Sequence, residues 1–393
     1  MNKRNLALIV FLFLALATAS ARRAEKNPPV KNVIYLIGDG MGLGAVTSLI
    51  LSQNAETGFE MNPVIGLSET CSANNHVTDS PAGGTALATG TRTKNGYLGV
   101  DPEGKQLTSI LRKAQKMGKK TGIVVNTTLT EATPAAFYAG VTSRKKTYDI
   151  AKQFTESDVD IAIGAGLDHF IDRPDSLDLT ATLINKGYDV YLHWESVLNT
   201  SSDKFIGILP LTDVHRRESG RRNAGAAEGQ EVCLAAQLAS ASEDNDGAHL
   251  SEPEVYLEKA TAKALDILSR NFDNGFFLMV ESAIIDGYGH NNDTEGMIAE
   301  MKEFDNTLRQ LVAYTNAHPG TLLVVTADHE TGGVGVDYNK FEPGTEQLLR
   351  LSFSTHGHTG TLVPVFAYGT GADAFAGIMK NTDIPSRIEG LMR

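Results

Sequence analysis

Short runs of apolar residues recur along the chain, and many of them stop at a glycine or a carboxylate. They lie at residues 32–37, 121–125, 160–163, 276–280, 322–326 and 362–368. Continuous apolar runs of this kind are typical of strands that are covered on both faces. Stretches that favour helix lie between them, at residues 107–117, 254–272 and 295–317. The alternation predicts an α/β protein with a largely parallel central sheet and helices on both of its faces.

Residues 1–21 have the pattern of a secretory signal peptide. Lys3 and Arg4 precede an apolar stretch at residues 6–16, and small residues at 19–21 form a cleavage site. The alternative is a membrane anchor, but the apolar stretch is shorter than a helix that spans a bilayer. We therefore expect a periplasmic or secreted protein without a membrane anchor.

The remainder of the chain, residues 22–393, is expected to form a single α/β domain. Its length is large for one core, but elaborated α/β sheets reach this size. The stretch around residues 199–246 is polar and irregular, and it predicts a long surface excursion or a small cap.

The formal net charge of the chain is −12. Binding to nucleic acid is not expected, because a phosphate backbone needs a basic surface. A small phosphorylated substrate stays compatible, since metal ions and a local arginine can bind an anion within an acidic protein. The only cysteines are Cys71 and Cys233. They are too few for a thiolate zinc site, and a disulfide between them and two separate thiols are both open.

Chemically useful side chains follow the predicted strands. Asp39, Glu281, Asp328 and His329 each come just past the end of an apolar run. In open α/β sheets, ligands bind outside the carboxyl ends of the strands. We therefore expect these four residues to gather at one edge of the sheet.

Ser80 lies in the segment 77–85, directly before Pro81. One interpretation is a helix cap, since serine is preferred there and proline suits the first helical turn. The other is a nucleophile, because a helix start attracts a phosphoryl group and a metal ion can activate a hydroxyl. The segment alone does not separate the two interpretations.

Asp286 and His290 are four residues apart, which places them on one face of a turn or helix. Such a pair suits a zinc site, and His358 offers a further imidazole. With the strand-end residues, the chain has enough ligands for two sites of nitrogen and oxygen and one of oxygen alone. Oxygen ligands suit Mg²⁺, and paired metals suit phosphoryl transfer.

In their order along the chain, these segments resemble the alkaline phosphatase family. The resemblance runs from Asn32 to about Gly369, and it rests on blocks at residues 77–85, 131–136, 281–290, 328–329 and 356–360. It implies hydrolysis of phosphate monoesters at alkaline pH, through a phosphoserine intermediate, with two Zn²⁺ and one Mg²⁺ per chain. The implied substrates are small phosphorylated molecules.

The same resemblance assigns roles to individual residues. Ser80 is the residue that is phosphorylated, and Arg144 clamps phosphate, as a guanidinium fork can. Asp286, His290 and His358 hold one zinc; Asp39, Asp328 and His329 hold the second; Asp39, Thr133 and Glu281 hold the magnesium.

Some positions depart from the family pattern. Pro81 stands where a small residue is usual, Glu131 replaces an aspartate or histidine, and Gly287 replaces a larger side chain. Pro81 is expected to preset the helix start without blocking the chemistry. Glu131 and Gly287 affect the expected magnesium affinity, phosphate release and pH optimum but leave the reaction class unchanged. His356 is a rival for the role of His358, which is favoured because Thr-Gly follows it.

Two other functions are weighed against the phosphatase. A phosphodiesterase or phosphonate hydrolase of the same superfamily would share the ligands of two metals, whereas Arg144 and Glu281 favour monoesters. A secreted phosphate-binding or metal-binding protein without turnover would have no use for Ser80. The sequence does not decide between a monomer and a homodimer.

Overall fold

A large twisted sheet carries the rest of the structure. The computed structural model describes residues 29–210, 256–270, 273–338 and 349–392. Ten strands of this part of the chain form the sheet: β1 (Asn32–Gly38), β2 (Val64–Glu69), β3 (Lys120–Thr128), β4 (Ile161–Ala165), β5 (Asp189–Tyr191), β6 (Phe205–Leu209), β7 (Phe276–Ser282), β8 (Thr321–Thr326), β13 (Val363–Gly369) and β14 (Gly377–Lys380). Two short pairs lie outside it, formed by β9 (Glu330–Thr331) with β12 (His358–Thr359) and by β10 (Val334–Val336) with β11 (Leu351–Phe353).

The strand order across the sheet is β14-β2-β13-β8-β1-β7-β3-β4-β6-β5. Every pairing in it is parallel except those of β13, which runs antiparallel to both β8 and β2. The prediction of a largely parallel sheet is confirmed, and each of the six predicted apolar runs falls on a strand. The last run is the one that reverses direction.

Helices cover both faces, as the alternation of residues along β1 shows. Val33, Tyr35 and Ile37 join one apolar core, while Ile34 and Leu36 join the other. Both cores are built with helices of the described residues: α1 (Leu43–Ser52), α2 (Ser80–Thr89), α3 (Ile110–Lys116), α4 (Ala132–Ala135), α5 (Thr147–Phe154), α6 (Asp168–Ile171), α7 (Leu179–Asn185), α8 (Trp194–Asn199), α9 (Tyr256–Leu268), α10 (Ile285–Asn291), α11 (Thr294–Ala317) and α12 (Asp383–Leu391).

Part of the predicted excursion is regular structure. Residues 205–209, inside the stretch 199–246, form the fully buried strand β6, which pairs with β4 and β5. The polar neighbours of this short strand hid it in the sequence. Residues 211–255 lie outside the described residues, as does the predicted signal peptide at residues 1–21. No helix in the described ranges has the length and apolarity needed to cross a bilayer.

The carboxyl ends of the central strands meet at one edge of the sheet. Ile37 of β1 is in register with Glu281 of β7 and with Thr326 of β8. Asp39 and Asp328 therefore emerge side by side, just past their strands. Glu281 was expected beyond its strand, but it lies within β7, so its side chain is anchored by the sheet itself.

A buried carboxylate on α11 fastens two of these strand ends. Glu300 is 1% exposed, and its Oε1 accepts hydrogen bonds from Asn126 Nδ2 at 2.9 Å and Ser282 Oγ at 2.7 Å. Asn126 Oδ1 accepts in turn from the N–H of Ala283 at 2.8 Å. Glu300 thus ties the end of β3 to the end of β7, next to Glu281.

Replacing Glu300 by alanine is expected to destabilise the fold. The change leaves the Ser282 hydroxyl buried without an acceptor and leaves the Asn126 amide only the Ser282 oxygen at 3.4 Å, at about 1–3 kcal/mol for each lost bond. The expected loss in the free energy of unfolding is about 2–5 kcal/mol in urea titrations. Lys302→Ala, at an exposed position of the same helix, should change it by less than about 0.5 kcal/mol. Equal losses in the two variants would contradict the role given to Glu300.

Candidate active site

Ser80 is the first residue of helix α2, at the carboxyl edge of the sheet. Asp79 caps the helix, because its Oδ1 accepts from the N–H of Ala82 at 3.0 Å, and Pro81 occupies the first turn. Ser80 is therefore not the cap. Its own side chain is 4% exposed, and its Oγ lies 3.3 Å from His329 Nε2.

The amide donors at this helix start are largely used. Pro81 has no N–H, that of Ala82 donates to the Asp79 side chain, and that of Gly83 donates to the Asp79 carbonyl at 2.8 Å. The sequence suggested that such donors would receive a phosphoryl group. The structure shows few free amide donors among the residues that follow Ser80 in this first turn.

Two glycines let α2 approach its neighbours. A Cβ on Gly83 would lie 3.1 Å from Asp328 Cβ, and one on Gly84 would lie 3.0 Å from Thr133 Cα. Both distances are tighter than ordinary side-chain contacts. The Gly-Gly pair thus allows the serine helix to lie directly against two predicted metal ligands.

His329 stands at the centre of one group of ligand atoms. Its ring is fully buried, and its Nε2 lies 3.4 Å from Asp39 Oδ1 and 3.2 Å from Asp328 Oδ2 as well as close to Ser80. Asp328 is held by its other oxygen, which accepts from the N–H of Gly40 at 3.2 Å. The structure therefore brings Asp39, Asp328 and His329 together, as predicted from the sequence.

A second group forms around the end of α10. His290 Nε2 lies 3.2 Å from Asp286 Oδ2 and 3.2 Å from His358 Nε2, and His358 Nε2 lies 3.5 Å from Asp286 Oδ1. His358 is oriented by its Nδ1, 3.0 Å from the carbonyl of Thr78. Its rival His356 is exposed and contacts the His290 backbone instead. The predicted trio of Asp286, His290 and His358 is thus assembled in space.

Asp286 belongs to both groups. Its carboxylate, Asp39 and His329 offer ligand atoms that lie within 4.8 Å of one another, in addition to the trio with His290 and His358. The rings of His329 and His358 stack with centroids 3.6 Å apart. The sequence placed Asp286 in one site only, whereas the geometry makes it the link between two.

Thr133 and Glu281 lie beside the first group. Both are fully buried, and by distance and angle neither the Thr133 hydroxyl nor either Glu281 oxygen has a hydrogen-bond partner among the described residues, although the Thr133 side chain is close enough to act on the pKa of Glu281. Asp39 Oδ1 and Asp328 Oδ2 also lack one. Buried polar atoms are rarely left in this state without an ion or water. Such a set of oxygen atoms fits a hard divalent cation.

Arg144 is a positive side chain close enough for its charge to act on Asp39 and Glu281. Its guanidinium forms an ion pair with Glu131, and its main-chain N–H donates to the carbonyl of Gly96 at 3.1 Å. Gly96 in turn donates to Asp79 Oδ2 at 2.6 Å, which links Arg144 to the start of α2. Arg144 is partly exposed, so it can be reached from solvent. One charge cannot balance the buried carboxylates.

The electrostatics of the site reflect this imbalance. Burial and the neighbouring carboxylates raise the pKa of Asp39 well above its ordinary value. Burial and the Asp328 charge raise the pKa of Glu281 to about 8. Burial and the Asp286 charge raise the pKa of Asp328 to about 7. Burial and the neighbouring His358 lower the pKa of His329 well below 6.5. Neutral imidazole and clustered carboxylates are the donor set that zinc and magnesium take.

Thr331 and Asp79 take part in the site but carried no usable signal in the sequence. Thr331 is buried, and its hydroxyl donates to Asp286 Oδ1 and lies 3.1 Å from His329 Nδ1. Asp79 is adjacent to Ser80, yet only the structure shows that it joins the serine helix to the Arg144 loop. Their roles depend on contacts between distant segments, which local spacing does not reveal.

Comparison with known proteins agrees with this geometry. The family described as alkaline phosphatase matches residues 30–349. Alkaline phosphatase 4 of Bacillus subtilis (strain 168) is 29% identical, across 93% of this chain and 89% of that protein. The alkaline phosphatase of Escherichia coli (strain K12) is also 29% identical, across 93% and 87%.

Solved structures give the same result. The alkaline phosphatase of the Antarctic bacterium TAB5 superposes with a TM-score of 0.77 at 33% identity, across 93% of this chain and 98% of that one. A variant of that enzyme, described with magnesium bound in a site named M3, has a TM-score of 0.76 at 32% identity, across 93% and 99%.

The metal-free protein is expected to lose stability as the pH rises from about 6.5 to about 8. In the folded state Glu281 and Asp328 have pKa values of about 8 and about 7, against ordinary values of 4.5 and 3.8. The folded state then binds more protons than the unfolded state, so the free energy of unfolding falls with rising pH. His329, with its lowered pKa, acts in the opposite sense only below about 6.5.

Thermal melting of chelator-treated protein across this range measures the effect. Excess zinc and magnesium should abolish the decline, and Glu281→Gln, which removes one ionisable group, should reduce it. A melting temperature of the metal-free protein that stays constant or rises over this range would contradict the prediction.

Proposed function

The chain belongs to the alkaline phosphatase family, and from that premise we propose that it hydrolyses phosphate monoesters at alkaline pH through a phosphoserine intermediate on Ser80. Enzymes of this family hydrolyse phosphate esters, so the chain is a phosphatase. The observation that carries the finer proposal is the position of Ser80 Oγ, 3.3 Å from His329 Nε2 and beside buried, unpartnered carboxylate oxygens.

The proposed cofactors are two Zn²⁺ and one Mg²⁺. Zinc would be held by the two groups that share Asp286, and magnesium by the unpartnered oxygens of Asp39, Glu281 and Thr133. Magnesium in the M3 site of the TAB5 variant supports the third ion. When bound, such cations make a nearby hydroxyl easier to deprotonate and neutralise charge on the transferred phosphoryl group. The buried donors described above are chemically suited to all three.

The reaction itself is assigned to the residues around Ser80. Ser80 Oγ attacks phosphorus and gives its proton to solvent, the P–O bond to the alcohol breaks, and the leaving alkoxide takes up a proton from solvent. Water then attacks the phosphoserine, which releases inorganic phosphate and restores the hydroxyl. Asp79 and Pro81 fix the helix start, so Ser80 keeps its direction during both steps. A hydroxyl loses its proton more readily as the pH rises, which supports an alkaline optimum.

Arg144 is the proposed clamp for the phosphate group. Its guanidinium can form two hydrogen bonds with the phosphoryl oxygens, as carboxylate and phosphate groups both allow. It is already paired with Glu131, so the incoming dianion must compete with a carboxylate for the same donors. A monoester carries two negative charges at alkaline pH and competes better than a diester does. The pairing therefore favours monoesters over the phosphodiesterase alternative.

The remaining features of the proposal concern location and partners. Residues 1–21 support export to the periplasm or beyond, and the acidic net charge supports small phosphorylated molecules rather than nucleic acid as substrates. A metal-binding or phosphate-binding protein without turnover is the second candidate. It would retain the ligand groups, but it would not need a buried serine at their centre.

Ser80→Ala separates the enzyme from a binding protein. Loss of the nucleophile is expected to lower kcat by at least about a thousandfold. Zinc and magnesium content per chain, measured by elemental analysis, should stay near that of the unchanged protein. Ser386→Ala, at an exposed helical serine beside Pro385, should retain full activity. If the unchanged protein binds zinc and phosphate but releases no alcohol from a monoester at high pH, the binding function stands instead.

Arg144→Ala tests the preference for monoesters. Loss of a charge-assisted contact to phosphate should lower kcat/KM on 4-nitrophenyl phosphate by about ten- to a hundredfold. The rate on the methyl diester of the same compound should fall much less. Lys145→Ala, which removes the adjacent exposed charge, should affect both substrates little. A diester rate above the monoester rate in the unchanged protein would overturn the assignment.

A further inference from the structure

Thr331 occupies a confined position between the two groups of ligand atoms. It lies on β9, in register with His358 on β12, and its N–H donates to the carbonyl of Gly40 at 3.2 Å. A Cβ on Gly40 would lie 2.9 Å from its Oγ1, and one on Gly289 would lie 3.0 Å from its Cγ2. The backbone and both glycines therefore leave the Thr331 side chain little freedom.

The hydroxyl of Thr331 faces two different partners. It donates to Asp286 Oδ1, and the same oxygen lies 3.1 Å from His329 Nδ1. A hydroxyl has one hydrogen, and a carboxylate can only accept. The hydrogen therefore points to Asp286, and the Thr331 oxygen must accept from His329. This fixes the hydrogen of His329 on Nδ1 and leaves Nε2, which faces Ser80, with a free lone pair.

We propose that Thr331 is a positioning residue that sets the tautomer of His329 and the orientation of the Asp286 carboxylate at the same time. Its hydrogen bonds go to Asp286, His329 and Gly40 and not to Ser80. It contacts one member of each ligand group, Asp286 and His329. Among the described residues it is the one hydroxyl that joins the two groups in this way. The inference rests on the proposed metal-binding role of these groups. The sequence of residues 328–332 alone does not predict this role for Thr331.

Several observations support this assignment over a purely structural one. A structural threonine usually satisfies its hydroxyl on a nearby backbone carbonyl, as Thr315 does on Leu311 at 2.7 Å. The Thr331 hydroxyl instead forms hydrogen bonds with two side chains of the site, Asp286 and His329. The ring hydrogen bond of a ligating histidine fixes its tautomer, and loss of such a partner typically lowers metal affinity by about ten- to a hundredfold.

Zinc affinity of matched variants tests the proposal. Thr331→Val keeps the shape but removes the hydroxyl, and it should weaken zinc binding by about ten- to a hundredfold in competition with a chelator. Thr331→Ser keeps the hydroxyl and should restore affinity close to that of the unchanged protein. Thr315→Val, which removes a buried hydroxyl far from the site, controls for the general cost and should leave zinc affinity unchanged.

Cobalt substitution gives a second readout. The visible spectrum of bound Co²⁺ reports its ligand geometry, so it should change in Thr331→Val and match the unchanged protein in Thr331→Ser. If Thr331→Val does not fold, Thr331→Ala gives the same comparison with less bulk.

Two results would overturn the role of the hydroxyl. One is zinc affinity in Thr331→Val equal to that of the unchanged protein. The other is a folded Thr331→Ser with the same loss as Thr331→Val, since shape would then be responsible. Both measurements are made without substrate, so they stand even if the protein fails to hydrolyse phosphate esters.

Discussion

The repulsion among Asp39, Glu281 and Asp328 is the interaction on which the arrangement of the sheet edge depends. These carboxylates emerge from three neighbouring parallel strands into a place with little water, and charge buried in this way is costly unless it is neutralised. Arg144 supplies one positive charge from the rim, and it is already shared with Glu131. The raised pKa values of the three groups show that they cannot all be ionised in this setting on their own, and divalent cations are the partners that would allow it.

Rigid surroundings are what allow such a charged arrangement to persist. The parallel register of β1, β7 and β8 sets the spacing of the carboxylates. Glu300 on α11 joins the ends of β3 and β7 by hydrogen bonds. Gly83 and Gly84 allow the serine helix to pack closely against Asp328 and Thr133. Each support comes from a different element, so no single loop decides the geometry of the site. A preorganised environment of this kind favours electrostatic catalysis, because little has to move when charge develops.

Much of this organisation could be predicted from the sequence. Long buried strands can be recognised in the sequence by unbroken apolar runs. The residues that follow them can be predicted to lie close together, because the carboxyl ends of parallel strands meet at one edge of the sheet. Short strands such as β6 are hard to predict, because five apolar residues between polar segments resemble part of a loop. Glu281 was predicted to lie beyond its strand, whereas it lies inside it. The apolar run ends at this charged residue, but the strand continues past it. Asp286 was assigned to one group, since no local pattern can show that a side chain faces two.

The long sequence separation between residues that meet at the site has a consequence for the order of events in synthesis. Asp39 leaves the ribosome early, whereas the bond from Gly40 to Asp328 spans 288 residues and that between Thr78 and His358 spans 280. The centre of the sheet cannot close until the chain is almost complete, and contacts of such range form slowly. Asp286 and His290 can meet within one short helix, but each group of ligand atoms also needs a residue from a distant segment. A complete set of ligands therefore exists only in the nearly finished chain, after its last strands have joined the sheet.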